Sequence, residues 1–137
     1  MAIAKWNTPG TRSSNIASTV LDSLASAGES SVVTYDNSTN LDLYASIVVK
    51  LGSITPTTGG SISIRITIND GTDTADKIAG DIYVVPLTTS ASAKIAVVNM
   101  IRLYPYSMRI SVINNSGVSF AASSNQIFVR PWNENVA

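Results

Sequence analysis

The chain has no cysteine and no histidine. Without cysteine there is no disulfide framework and no thiolate metal site. Without histidine neither a Ser-His-Asp triad nor an imidazole zinc site can be built. Charge is scarce as well: nine basic and nine acidic residues among 137 give a net charge of zero. Lys5, Arg12, Lys50, Arg65, Lys77, Lys94, Arg102, Arg109 and Arg130 form no run, so the basic patch that nucleic-acid phosphates require is not foreshadowed. Long apolar runs are missing too. The first ten residues hold Lys5 and Pro9 and no apolar core of signal-peptide length, and no stretch would span a bilayer. Neither nucleic acid nor membrane is an expected partner, no cofactor is expected, and synthesis in a cytosol is.

Serine, threonine and asparagine supply the polarity that charge does not, and a near-neutral surface does little to repel partners. Against this background two segments alternate strictly. In residues 41–51, Leu41, Leu43, Ala45, Ile47, Val49 and Leu51 share one face, opposed by Asp42, Ser46 and Lys50. In residues 61–69, Ile62, Ile64, Ile66 and Ile68 are opposed by Ser61, Ser63, Arg65, Thr67 and Asn69. A period of two predicts strands with one packed and one wet face. A loop containing Pro56 and Gly59-Gly60 joins them, and the two strands are expected to be neighbours.

Further strands are predicted at residues 31–35, 81–87, 94–103, 107–114, 118–122 and 125–130. Pro86 pushes the end of the second of these toward a sheet edge. Residues 94–103 are apolar on both faces, which predicts a central strand covered on both sides. Residues 16–28 fit either a helical stripe of Ile16, Val20, Leu21 and Leu24, capped by Asn15 and stopped by Gly28, or a short strand, which suits the surrounding pattern better. Turns are predicted at 36–40, at 69–71 opening a loop through Gly80, and at 114–117. Eight or nine short strands with Gly, Pro and Asn punctuation indicate an all-β, antiparallel β-sandwich, jelly-roll-like. Residues 1–15 read as an extended N-terminal arm and 16–137 as a single domain, as the length suggests.

Little in this pattern points to catalysis, and no enzyme activity is expected. Most acids sit in turns or caps, and no carboxylate pair of the glycosidase kind is specified. Asp70, Asp73 and Asp76 are spaced by three, unlike the alternate spacing of a calcium loop, and read as a solvated loop. The triplets beginning at Asn37 and Asn114 match the glycosylation pattern but read as turn chemistry. Trp6 and Trp132 are more suggestive. Each precedes an asparagine, and each either plugs an end of the sandwich or anchors a partner, since Trp is enriched at interface hot spots.

The wording of three places carries a resemblance. The segment DNSTNLDLYASIVVKLGSITPTTGG at 36–60, the DGTD at 70–73 and the closing VRPWNE at 129–134 resemble a group of small virion proteins of tailed bacteriophages, of the capsid decoration (cement) type. The resemblance implies a non-enzymatic protein with a β-sandwich or jelly-roll fold. It implies binding to the outer surface of the assembled head, on the phage major capsid protein, as a homo-oligomer with a trimer favoured. Its place would then be the virion capsid surface, after synthesis in the bacterial host cytoplasm. Candidate partner-binding residues are Trp6 and Arg12 of the arm, together with Tyr104, Tyr106 and Trp132. The rival reading is a tail- or fibre-associated carbohydrate-binding module using Tyr83, Tyr104, Tyr106 or Trp132 as stacking platforms.

Overall fold

The computed structural model describes residues 4–76 and 80–136; residues 1–3 of the expected arm and 77–79 of the expected loop lie outside them. The described residues are all-β, with nine strands: β1 (Ala4–Trp6), β2 (Val33–Tyr35), β3 (Tyr44–Ile54), β4 (Ser61–Thr67), β5 (Asp81–Pro86), β6 (Ser92–Arg102), β7 (Met108–Asn115), β8 (Gln126–Trp132) and β9 (Glu134–Val136). Two antiparallel sheets, ordered β2-β7-β4-β5 and β6-β3-β8, pack against each other as a β-sandwich, and β1 and β9 form a separate ribbon. Among these residues no helix is long and apolar enough to cross a membrane.

The alternating residues make the core. Ala45, Ile47, Val49 and Leu51 of β3, with Ile127 and Val129 of the neighbouring β8, face Ile62 and Ile64 of β4 and Ile110 and Val112 of β7 across the sandwich. Burying each large aliphatic contributes roughly 1.5–3 kcal/mol. The pattern stops before the sequence suggests. Leu41, Leu43 and Ile68 are exposed, because the first two lie in the loop before β3 and the third follows β4.

Several expectations are corrected. β3 and β4 are not hydrogen-bonded neighbours: each is an inner strand of a different sheet, and the connection between them crosses the sandwich. Residues 94–103 do not form a doubly covered central strand, since β6 is an edge. Lys94, Ala96 and Val98 point inward until a register shift inserts an extra residue beside Met100, at φ 62°, after which Ile101 and Leu103 turn inward. Such a bulge reverses the parity of the alternation, so Ile101 and Leu103 enter the core on the parity of Ile95 and Val97, which are themselves exposed on the outer face. Residues 16–28 are neither strand nor helix. They form consecutive tight turns, closed by Val20 N–H on Ala17 O, Leu24 N–H on Leu21 O and Gly28 N–H on Ala25 O, with Ala17 and Leu21 sunk in the core. Residues 118–122 are an irregular crossover from β7 to β8, not a strand.

The N-terminal segment is not a free arm. Gly10, Ser13 and Ile16 donate backbone N–H groups to the carbonyls of Pro131, Val129 and Ile127. In return Ser13 Oγ and Asn15 Oδ1 accept from the amides of Val129 and Ile127. This irregular run occupies the outer edge of β8, so the two sheets hold seven strands plus one strand-like edge.

The loops are tied down by buried asparagines. Asn37 Nδ2 donates to Asp42 O (2.9 Å) and Tyr104 O (2.8 Å), while its Oδ1 accepts from the Asp42 amide. Asn114 joins Leu24 O, Val118 O, and the amide and hydroxyl of Ser116. Asn125 joins Gly52 N, Ala121 O and Asp22 Oδ1. Asn37 and Asn114 are both 0% exposed, so neither matched triplet offers its amide to a modifying enzyme in the folded state. Asn114→Ala leaves several buried groups unpaired, at roughly 1–3 kcal/mol each. It is expected to lower unfolding free energy in urea by about 2–4 kcal/mol. Asn115→Ala, one residue on and exposed, is expected to change it by less than about 0.5 kcal/mol.

Candidate binding surface at one end of the sandwich

β3 starts, and β6 and β8 end, at the same end of their sheet. Tyr44 is therefore flanked by Arg102 on one side and Trp132 on the other as direct cross-strand partners. Trp6 joins them because β1 pairs with β9, placing Trp6 opposite Glu134. The Trp6 and Trp132 rings meet edge to face at 4.4 Å, Trp6 and Tyr44 do so at 5.9 Å, and Tyr44 lies 5.2 Å from Trp132. The Arg102 guanidinium stands 5.7 Å from the Tyr44 ring centroid. Tyr44 Oη donates to Glu134 Oε1, and Asn133 bridges the Leu43 amide and the Asp42 carboxylate, which fixes the chain just past Trp132. The tryptophans thus pair on the outside of the sheet and do not plug the core; Trp6 remains 53% exposed.

Arg12 lies apart from this cluster. Its guanidinium is 3.9 Å from the ring centroid of Phe128, with Lys50 Nζ at 5.7 Å from the same ring. Phe128 points away from the core and is nevertheless only 8% exposed, because the N-terminal segment lies over it. Arg12 therefore fastens that segment to β8 by a cation–π contact.

Beside the aromatic cluster, between the two sheets, a cavity of about 630 Å³ opens. Its floor is aliphatic, from Ile66, Ile101, Leu103 and Met108, and its walls carry Tyr83, Tyr104 and Tyr106. Arg102 lines it as well, and so links the cavity to the aromatic cluster. Tyr104 and Tyr106 are stacked, 5.8 Å between centroids and 7° from parallel. Gly71 (φ 93°) lies against Tyr106, where an added Cβ would come within 3.2 Å of the ring. Tyr106 thus contacts both the glycine and Tyr104, while Tyr104 is 58% exposed. Burial raises the Tyr83 phenol above its ordinary pKa, helped by the charge of Asp81 and by Tyr104, so Tyr83 stays a protonated donor.

On the rim, Asn69 and Asp70 are already engaged with backbone groups, Asn69 across to the connection before β7 and Asp70 within its own loop. Asn69 joins Gly71 N and Ser107 O, and Asp70 Oδ1 accepts from the amides of Thr72 and Asp73. Among the described residues no group of three His, Cys, Asp or Glu is placed to hold a metal ion. The structure brings together Trp6 and Trp132, and separately Tyr104 and Tyr106, with Arg102 between the pairs; it sets Arg12 elsewhere. Tyr44 and Arg102 were not singled out from sequence. Their only signal there is position, as the first residue of one long strand and the last of another. Comparison with family models, curated proteins and solved structures finds no match for this chain.

The amides of Asp73 and Thr72 hold the Asp70 carboxyl below its ordinary value of 3.8. This contribution to loop order is complete above that value and is lost as the pH falls through the depressed folded-state pKa. The amide resonances of residues 72 and 73 are therefore expected to stay constant from neutral pH down to about 4 and to move only below it, as read by NMR. Asp70→Ala should abolish that acid transition.

Proposed function

We propose that this chain is a non-enzymatic capsid decoration (cement) protein of a tailed bacteriophage. It binds the outer surface of the assembled head through the phage major capsid protein and stabilises it, with no nucleic acid or membrane involved. The virion context rests on the wording at 36–60, 70–73 and 129–134. The single structural observation that carries the reading is the cluster of Trp6, Tyr44 and Trp132, two sheet-anchored rings under a half-exposed tryptophan. Such rigid aromatics supply large contact area at small entropic cost, and Trp and Tyr dominate interface hot spots. The architecture is compatible. With residues 10–16 counted as an edge strand, the sheets read as four plus four, the layout of the jelly rolls found in capsid and lectin domains. Fold alone assigns no function, so the reading stands on the cluster and the wording.

Binding the assembled shell and not its free subunits stabilises the shell by mass action, and many symmetric copies add avidity. We propose a homotrimer as the bound form. β5 and β6 adjoin as the free edges of their sheets, and both expose aliphatics: Ile82 and Val84 on the first, Ile95 and Val97 on the second. These outward aliphatics favour association by side-chain packing, while the inward Lys94 keeps the β6 edge from pairing as a strand.

Trp6→Ala is expected to weaken binding to capsids stripped of this protein by about tenfold or more, equivalent to ~1.4 kcal/mol, while leaving thermal unfolding within a few degrees of the parent. Saturation of capsids by Trp6→Ala at parental concentrations would sink the proposal. Quantitative mass spectrometry of virions should give hundreds of copies per particle; a few to some tens would place the protein in a tail or fibre. In light scattering, Val84→Lys together with Val97→Lys should convert the trimer to monomer.

A further inference from the structure

We infer that the cavity between β4, β5, β6 and β7 is a binding site for a neutral pyranose, with Tyr104 as the stacking platform. The volume, about 630 Å³, is that of a small-molecule site. The ring arrangement selects the ligand class. A cage for an organic cation needs several aromatic faces converging on one point. Here Tyr106 packs against Gly71 and is stacked with Tyr104, only 7° from parallel. Tyr104 is the strongly exposed ring at the cavity, and a flat exposed ring suits the apolar C–H face of a sugar ring. The platform is preorganised: buried Asn37 holds the Tyr104 carbonyl, and Gly71 admits the supporting ring.

The rim supplies what hydroxyl pairs require. Asp73 and Asp81 carry no side-chain hydrogen bond or ion pair among the described residues. A carboxylate engages adjacent hydroxyls in a bidentate fashion. Tyr83, kept protonated, adds a donor. The aliphatic floor of Ile66, Ile101, Leu103 and Met108 favours a sugar bearing an apolar substituent, such as an N-acetyl or 6-deoxy methyl group. Among the described lining residues three carboxylates, Asp70, Asp73 and Asp81, stand against one guanidinium, which disfavours acidic sugars. This inference is separate from capsid attachment, because Trp6 does not line the cavity.

The test is an NMR titration of the full ¹⁵N-labelled chain with N-acetylglucosamine, fucose, glucuronate and choline. Saturable shifts are expected for one or both neutral sugars at residues lining the cavity, with a dissociation constant on the order of millimolar, and none for glucuronate or choline. Tyr104→Ala should weaken sugar binding about tenfold or more, Tyr104→Trp should retain it, and Asp81→Asn, on a different strand, should weaken it several-fold. Trp6→Ala should bind sugar like the parent, and Tyr104→Ala should still decorate capsids, so the two proposals fail separately. The inference is overturned if neither neutral sugar gives saturable shifts, if choline or glucuronate binds in preference, or if Tyr104→Ala and Asp81→Asn both bind like the parent.

Discussion

The fold depends on three buried asparagine side chains. A sandwich with short strands leaves long connections, and each connection carries backbone N–H and C=O groups that a dry interior cannot leave unpaired. Asn37, Asn114 and Asn125 answer those groups with an amide that both donates and accepts. Each joins segments that are not paired with each other in a sheet: 37–42 to Tyr104, 114–118 to Leu24, and Gly52 to 121–125. Without the amide, these junctions keep their neighbouring backbone bonds but leave buried polar groups unpaired. The aromatic cluster and the cavity inherit their geometry from this, since the 36–43 connection leads into Tyr44 and the Tyr104 carbonyl is an Asn37 partner.

A second constraint acts at the edges. β6 presents an open flank, and its inward-pointing Lys94 is almost fully buried. Among the described residues the ammonium has no carboxylate partner; it is surrounded by Thr88 Oγ1, Ser92 Oγ and the carbonyl and hydroxyl of Ser90. The 88–92 loop is thereby folded around the start of the strand. An inward charge is one of the ways native proteins discourage a foreign strand from pairing with an edge. The bulge at Met100 does related work lower down, twisting the strand where it approaches the cavity. One flank of β8 is treated differently, being covered by residues 10–16 with Arg12 clamped on Phe128.

What the sequence revealed, and what it hid, follows from these features. The alternation in β3 and β4 was legible because a one-sided strand must place every second residue in the core. Its partner was not, because period two assigns a face and says nothing about which sheet the strand joins. β6 misled because the bulge superposes two opposite parities in one apolar run. Residues 16–28 misled because Ile16, Val20, Leu21 and Leu24 suit a helical stripe or a short strand, while the chain there is only a set of tight turns. The buried asparagines looked like turn residues, and their neighbours are turns. Nothing local distinguishes an amide that closes its own turn from one that reaches across 67 residues to Tyr104. At the candidate site, Trp6, Trp132, Tyr104 and Tyr106 were visible as unusual residues. Their convergence through Tyr44 and Arg102 is a product of register.

The strand orders also dictate when the molecule can be assembled. β7 inserts between β2 and β4, and β8 lies between β3 and the 10–16 segment. The two strands that complete the sheets are thus the latest to leave the ribosome. Until residue 132 has emerged, β3 has one side unpaired, and Ile47, Val49, Ile62 and Ile64 lack the core partners that β8 supplies. The β3–β6 and β4–β5 pairs are available by residue 102, but neither sheet is whole before the C-terminal strands arrive. Closure of the core therefore waits on strands that must pair with segments laid down many residues earlier.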